Sequence, residues 1–539
     1  MSDYDAICAR FFCRGIDWRY FVTIIERIIP PKIAEDGSIH YSSVMSPCDD
    51  SIAVCPMIPT RVIPVVFVPG VMGTNLMGAD GSPVWLVNGT WSVLKDWGMR
   101  GPEKRKRLLD PKTTEVYSGG DIPQGTAQTD AELKRRGWGE VGNMSYGAFL
   151  PWLENALNDP LRAREGLRSE LMKKLVAPTP TVDLLTHDEV AMSYRYQLPV
   201  HAVGYNWLQS NEVSARRLHE RIDRFMLYYR DMGYMCTHVI IVTHSMGGLV
   251  ARYYSEVLNK RSNVLGIAHG VMPTTGAATA YKRVKAGTEM PAGLALGSNA
   301  AEMTAVFAQA PGPLQLLPSI EYGMGWLKVL DGARLISLPA SDPYKEIYLS
   351  RGQWWSLIDD KLVDPLDRKK KSSDKIWSSY AKIIEDDVIS FHKKISGNYH
   401  GNTYAFYGDD PKHKAWGDVI WTRRIAARHE IDSKLPQIDN PLDGRVISET
   451  GKGTIGMMSS RGGQEDLAIF DIQPAAEDGD GTVPKRSGRA PSGKVKVCVP
   501  YQGVDHEGAY KERPQQLFAL WAITKISYNV RFTDMAYKS

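Results

Sequence analysis

The sequence has 539 residues, 43% of them hydrophobic and 23% charged. At roughly 100 to 200 residues per domain this is more than one structural unit or one heavily decorated core, and the balance excludes intrinsic disorder over most of the length. The 65 basic and 61 acidic residues leave a net charge of +4, and the basic ones are scattered apart from the short run Arg368 to Lys371, so no nucleic-acid partner is expected.

The six cysteines form no Cys-x-x-Cys and no Cys/His cluster at zinc spacing, so neither a dense disulfide framework nor a metal or other cofactor is expected. Cys48 and Cys55 are close enough to bridge a small loop, but unpaired thiols are the plainer reading. The first apolar stretch, Phe21 to Pro31, is broken by Glu26 and Arg27, which is not the pattern of a secretory signal. No window approaches the ~18 uninterrupted apolar residues of a membrane-spanning helix. The expectation is a protein soluble in the cytoplasm of the producing cell, any export using a route that reads no N-terminal signal.

In chain order, residues 1–60 read as an N-terminal extension, with a weak helical pattern from Ile16 to Ile29 and then a Ser/Asp/Pro-rich arm, Ser42 to Pro59. Arg61 to Val68 is a β-branched apolar run closed by Pro69-Gly70, the pattern of a strand buried on both faces. Leu218, Ile222, Phe225 and Tyr229 then recur at helical spacing, and Gly233 supplies a stop. A second apolar run, His238 to Val242, ends in Thr243-His-Ser-Met-Gly-Gly248, and helical composition resumes from Leu249 to Lys260. Helix, strand, sharp turn, helix predicts a mostly parallel, doubly wound α/β sheet.

After a strand at Val264 to Ile267 the chain runs for over a hundred residues before the next, Asn402 to Tyr407, too far for a simple connection. Residues 285–400 are therefore expected to form an inserted cap, with residues 61–284 and 401–539 as the two parts of the core. A second excursion, at about 410–466, contains the hairpin-like Asp418 to Thr422. The chain is expected to rejoin the core at Leu467 to Ile472.

Ser245 is the strongest chemical signal. A nucleophile that must stand clear of a sheet needs an abrupt strand-to-helix turn with small residues two places before and after it; these are Thr243 and Gly247, and Thr243 departs from the commoner glycine. The Met246 amide, at the start of the following helix, would donate to the oxyanion of a tetrahedral intermediate. The second donor is expected from the turn after the first strand, at Val71 with Met72 next.

Serine needs a base, and the base an orienting acid. His506, in Gly503-Val-Asp-His-Glu-Gly508 after the apolar run Val495 to Val499, is the expected base; His400 and His413 are reserves, and His244 is read as packing beside the site. Asp480, ahead of Gly-Thr-Val-Pro484, is the expected acid, with Asp409 and Asp410 as alternatives. A calcium loop at Asp478 fails at its fifth and twelfth positions, occupied by Thr482 and Arg489.

With these segments in hand, the sequence resembles the lecithin:cholesterol acyltransferase-like and PGAP1-like α/β-hydrolases. The resemblance rests on Val68 to Gly73, Gly204-Tyr-Asn-Trp207, Val242 to Val250, Pro313 to Pro318, Tyr404 to Gly408, Asp478 to Pro484 and the loop at His506, all in the family's order. It implies an α/β-hydrolase fold, a Ser245, Asp480, His506 triad and lipid substrates. Ala268 to Ala277 departs from the family's usual Thr-Pro-x-x-Gly segment, and Asn206 stands where Asp is frequent. These departures suggest a separate bacterial branch, similar to the lipase effectors of type VI secretion.

The leading expectation is a serine lipase or phospholipase acting at a lipid or membrane surface, with a secretion-apparatus partner and an immunity protein if it is such an effector. Trp326, Leu327, Trp354 and Trp355 are expected either to line an acyl-chain pocket or touch a bilayer, or to form the cap's own core. Transfer of the acyl group to an alcohol, and a non-catalytic binding protein on the same fold, are the alternatives.

Overall fold

The computed structural model describes residues 25–29, 31–33, 39–42, 51–55, 58–89, 97–159, 166–173, 182–289, 297–367, 373–424 and 437–537. Its centre is a six-stranded sheet of β1 (Val65–Val68), β2 (Val200–Ala202), β3 (Val239–His244), β4 (Val264–Gly270), β5 (Thr403–Gly408) and β6 (Val497–Tyr501) in the order β6-β5-β4-β3-β1-β2. Every pairing within it is parallel, so all six strands end at one edge. In open parallel sheets ligands bind beyond that carboxyl edge, and the candidate residues lie there.

Burial explains the continuous apolar runs. Ile240 and Val242 of β3 pack with Val65 and Phe67 on one face, while Val239 and Ile241 pack with Val66 and Val68 on the other. Both faces are covered, so no polar alternation survives. Helix α1 (Asn211–Asp231) is capped by the Ser210 side chain, buries Leu218, Ile222, Phe225 and Tyr229 as its spacing predicts, and ends at Gly233 with φ of 83°. Helix α2 (Gly247–Arg252) leaves the tip of β3, and α3 (Arg513–Ser527), buried nearly all round, packs on the sheet through Phe518, Leu520 and Ile523.

The stretches expected as a cap and as a separate excursion pair into one second sheet, in the order 334–338, 327–331, 419–423, 464–472, 454–461, 445–449. Leu467 to Ile472 does not rejoin the hydrolase sheet: it lies in the strand Gln464–Ile472 of this second sheet. Ala468 and Phe470 are buried there and Leu467 is exposed, the one-sided burial of an antiparallel strand. The chain regains the first sheet only at β6.

The extension also departs from expectation. Ile25–Ile28 is a strand, not helix, and it pairs in parallel with Ser51–Val54, inside the stretch expected to be irregular. Isoleucine spacing there fits either period, and β-branched residues favour the extended one once a partner strand exists. The earlier part of that predicted helix lies outside the described residues. Cys55, Cys236 and Cys498 are free thiols; Cys48 lies outside the described residues. Among the described residues no helix is long and apolar enough to cross a membrane.

Candidate active site

Ser245 sits at the tip of β3 with φ of 51°, a left-handed conformation rare for a side chain larger than glycine. Its amide is held by the Gly270 carbonyl at 2.9 Å. The turn is tight enough that a Cβ on Gly247 would lie 2.4 Å from the Val68 carbonyl oxygen and 2.5 Å from that of Pro69. Thr243, the departure noted in the sequence, fits because its hydroxyl meets His269 Nδ1 at 2.8 Å and its carbonyl accepts from the Tyr510 hydroxyl at 2.8 Å.

His506 follows β6. Its Nε2 is 2.8 Å from Ser245 Oγ and its Nδ1 is 2.9 Å from Asp480 Oδ2. Asp480 is buried, and its other oxygen accepts the amides of Thr482 at 3.0 Å and Val483 at 2.7 Å. Three donors therefore fix the carboxylate in an orientation that holds the imidazole with Nε2 toward the serine. Asp480 follows the short strand Glu477–Gly479, which pairs with Asp410–Ala415 and so brings the acid back beside the end of β5.

The reserve residues are engaged elsewhere. Asp410 accepts from the Gly503 amide at 2.8 Å and meets His413 Nδ1 at 2.7 Å, and Asp409 pairs with Lys485. His400 lies beside Asn402, whose amide it accepts. His244 does more than pack. Its Nε2 is 2.7 Å from the His506 carbonyl oxygen and its Nδ1 is 2.9 Å from the hydroxyl of Tyr146, a residue that sequence reasoning did not single out. No sequence motif surrounds Tyr146; only the fold brings the helix Asn143–Tyr146 to this edge.

Ser245 opens into a cleft of about 590 Å³. Val71 and Met72 line it, in a turn closed by the Gly73 amide on the Gly70 carbonyl and anchored by the Trp85 indole on the Met72 carbonyl. Met246 follows Ser245 at the foot of α2. The walls are mostly apolar, including Met144, Met303, Phe307, Leu314 and Leu317, with Arg283 and Glu289 as charged members of the lining, and Asp505, Glu507 and Lys511 line it beside His506.

Trp326, Trp354 and Trp355 do not line this cleft. Trp326 is fully buried against Tyr281 and Tyr348; Trp354 packs on Trp421 and Phe470 with its indole N–H on the Pro441 carbonyl; Trp355 donates to Leu442. They belong, with Leu327, to the core beneath the second sheet. A second sheet of this size needs a core of its own, and large aromatics supply it.

The sheet order, the elbow and the inserted module define an α/β-hydrolase fold. A solved structure of the Tle4–Tli4 complex contains a chain 30% identical to this one, with a TM-score of 0.74, matched over 86% of this chain and 98% of that one. This chain belongs to the Tle4 family, and of the resemblances read in the sequence it is the one to type VI lipase effectors that this match supports. Phospholipase PlaB from Legionella pneumophila matches over 66% of this chain and 90% of its own, at 11% identity and a TM-score of 0.17. No protein-family model matches the sequence, and no curated protein matches it.

Proposed function

We propose that the chain is a serine lipase that cleaves carboxylic esters of lipids, phospholipids among them, through an acyl-enzyme. The observation that carries this reading is His506 bridging Ser245 Oγ and Asp480 at 2.8 and 2.9 Å at the floor of an apolar-walled cleft. His506 Nε2 takes the Ser245 proton as Oγ attacks the ester carbonyl, and Asp480 fixes the tautomer and stabilises the imidazolium. The amides of Met246 and Val71 hold the oxyanion. The leaving alcohol departs with the proton from His506. Water, deprotonated by the same ring, then attacks the acyl-Ser245 ester, and as the acyl–oxygen bond breaks His506 returns the proton to Ser245 Oγ and the fatty acid leaves.

Membership of the Tle4 family supports the wider role: an effector delivered into a target cell by type VI secretion, acting on its membrane lipids, and restrained in the producing cell by an immunity protein seated over the cleft. Tle4 itself is found in complex with Tli4.

The test is release of free fatty acid from phospholipid vesicles by wild type and Ser245→Ala, with a soluble short-chain ester in parallel. Release by wild type and none by the variant is the expected result. Hydrolysis surviving in Ser245→Ala, or ester cleavage with no release from lipid, overturns the serine or the lipid part respectively. Added alcohol in the same assay reads the acceptor: acyl ester product in place of fatty acid marks an acyltransferase.

A further inference from the structure

A second chain of hydrogen bonds runs beside the triad, and its direction follows atom by atom. The His506 carbonyl oxygen only accepts, so His244 Nε2, 2.7 Å away, carries the ring proton. Burial, reinforced by the neighbouring His506, pushes the His244 pKa down to about 4, so the ring is neutral near pH 7 and Nδ1 is a bare lone pair. The Tyr146 hydroxyl, 2.9 Å from that lone pair and kept protonated by burial, is therefore the donor there. Its oxygen accepts the Gly70 amide at 3.0 Å. Donation runs one way, from Gly70 to Tyr146 to His244 to the His506 carbonyl.

The two ends of this chain matter. Gly70 opens the turn that presents Val71 and Met72, and His506 is the base. The middle of the chain, His244, is the residue before Ser245. Backbone packing shows how closely the turn is fitted to it: a Cβ on Gly70 would lie 2.8 Å from His244 Nδ1, and one on Gly73 would lie 2.6 Å from the Tyr146 hydroxyl. Next to Tyr146, the Ser145 hydroxyl donates to Glu507 at 2.6 Å, a second tie between the helix Asn143–Tyr146 and the base loop.

We propose that Tyr146 and His244 are positioning residues that set the spacing between the oxyanion-binding turn and the His506 imidazole. This rests on the triad assigned above. Neither residue touches the reacting atoms. Both act by holding two loops, from opposite ends of the sheet sequence, in one geometry about Ser245.

The test uses the full chain and a soluble ester, with kcat expressed per active site titrated by a fluorophosphonate, which removes any effect of lost folded protein. Tyr146→Phe keeps the ring and deletes both of its hydrogen bonds; His244→Phe keeps a planar ring and deletes both the donor to the His506 carbonyl and the acceptor for Tyr146. Each is expected to lower kcat by about tenfold to a hundredfold, the scale of a misplacement near 1 Å, with KM within about twofold. The double variant is expected to be no worse than the weaker single one, because breaking either link opens the same chain. Wild-type kcat per site in Tyr146→Phe, with Ser245→Ala inactive, overturns the positioning role and leaves the triad standing. Activity in Ser245→Ala overturns the triad itself. Imidazole ¹⁵N resonances of the wild type give an independent reading: the Nε2–H neutral tautomer is expected for His244, and an Nδ1–H or cationic ring overturns the chain.

Discussion

His506 and Asp480 are joined twice: Nδ1 meets the carboxylate at 2.9 Å, and the His506 backbone amide donates to the Asp480 carbonyl at 2.9 Å. The backbone bond keeps the two loops together whatever the carboxylate does. Asp480→Asn is therefore expected to fold with an unchanged melting temperature within a few degrees, while kcat falls by about 10³ to 10⁴, because an amide in place of the carboxylate stabilises the wrong imidazole tautomer and no cation. Asp410→Asn, which loosens the Gly503 end of the loop, is expected to lower the melting temperature and to change kcat less than about tenfold. Equal losses of kcat in the two variants would count against Asp480 as the acid.

The elbow predicts a contrast between adjacent glycines. A Cβ on Gly247 meets backbone carbonyls of Val68 and Pro69, which cannot move without shifting β1, whereas one on Gly248 meets the flexible Met272 side chain at 2.6 Å. Gly247→Ala is expected to cost more than about 3 kcal/mol and Gly248→Ala roughly 1 to 2 kcal/mol, measured as urea midpoints. Similar midpoints for both would mean that the turn is looser than described.

The parts legible in the sequence were those written in contiguous residues. The runs before Pro69 and Thr243 are apolar on both faces because β1 and β3 are covered on both, and the elbow announces itself because Ser245 and its glycines are neighbours. His506 could be chosen because its loop follows the last strand. Tyr146 could not: its role depends on where the chain between β1 and β2 returns, and that return has no local signature. The tryptophans stayed open between two roles for a related reason, since an aromatic pair such as Trp354-Trp355 has the same composition in a ligand pocket as in a core, and only the pairing of 327–338 with 419–472 shows which it is. One-sided burial at Leu467 to Ile472 was hidden because a short apolar run reads alike in either kind of sheet.

The cleft and the tryptophan core should respond differently to substitution. Trp354→Ala removes a core ring and is expected to cost about 3 to 5 kcal/mol while leaving KM for a soluble ester unchanged in the folded fraction. Leu316→Trp, at a half-buried position on the cleft wall outside the tryptophan core, is expected to leave short-chain hydrolysis near wild type and to lower kcat/KM for long-chain esters by about tenfold. A chain-length profile that follows Trp354 and ignores Leu316 would reverse the assignment.

Acid sensitivity follows from buried neutral imidazoles. Burial holds His244 and His392 at about 4 and His269 at about 3, against an ordinary value of 6.5, and His201 well below it. An unfolded chain takes up these protons near pH 6.5 and the folded chain does not, so stability falls as pH drops from about 6.5 toward 4, by roughly 1.4 kcal/mol per pH unit for each ring. Urea midpoints between pH 7 and 5 should show this slope. His392→Gln, away from the cleft, should flatten it by one proton; an unchanged slope would show that His392 is not a neutral buried ring.

The most direct measurement is the site of covalent capture by a fluorophosphonate, located by peptide mass spectrometry on folded wild type, heat-unfolded wild type, Ser245→Ala and His506→Gln. The account predicts a single adduct on Ser245 in the folded protein, none after unfolding or in Ser245→Ala, and strongly slowed capture in His506→Gln. An adduct on another residue of the folded chain, or capture of Ser245 at equal rates with and without His506, would contradict it.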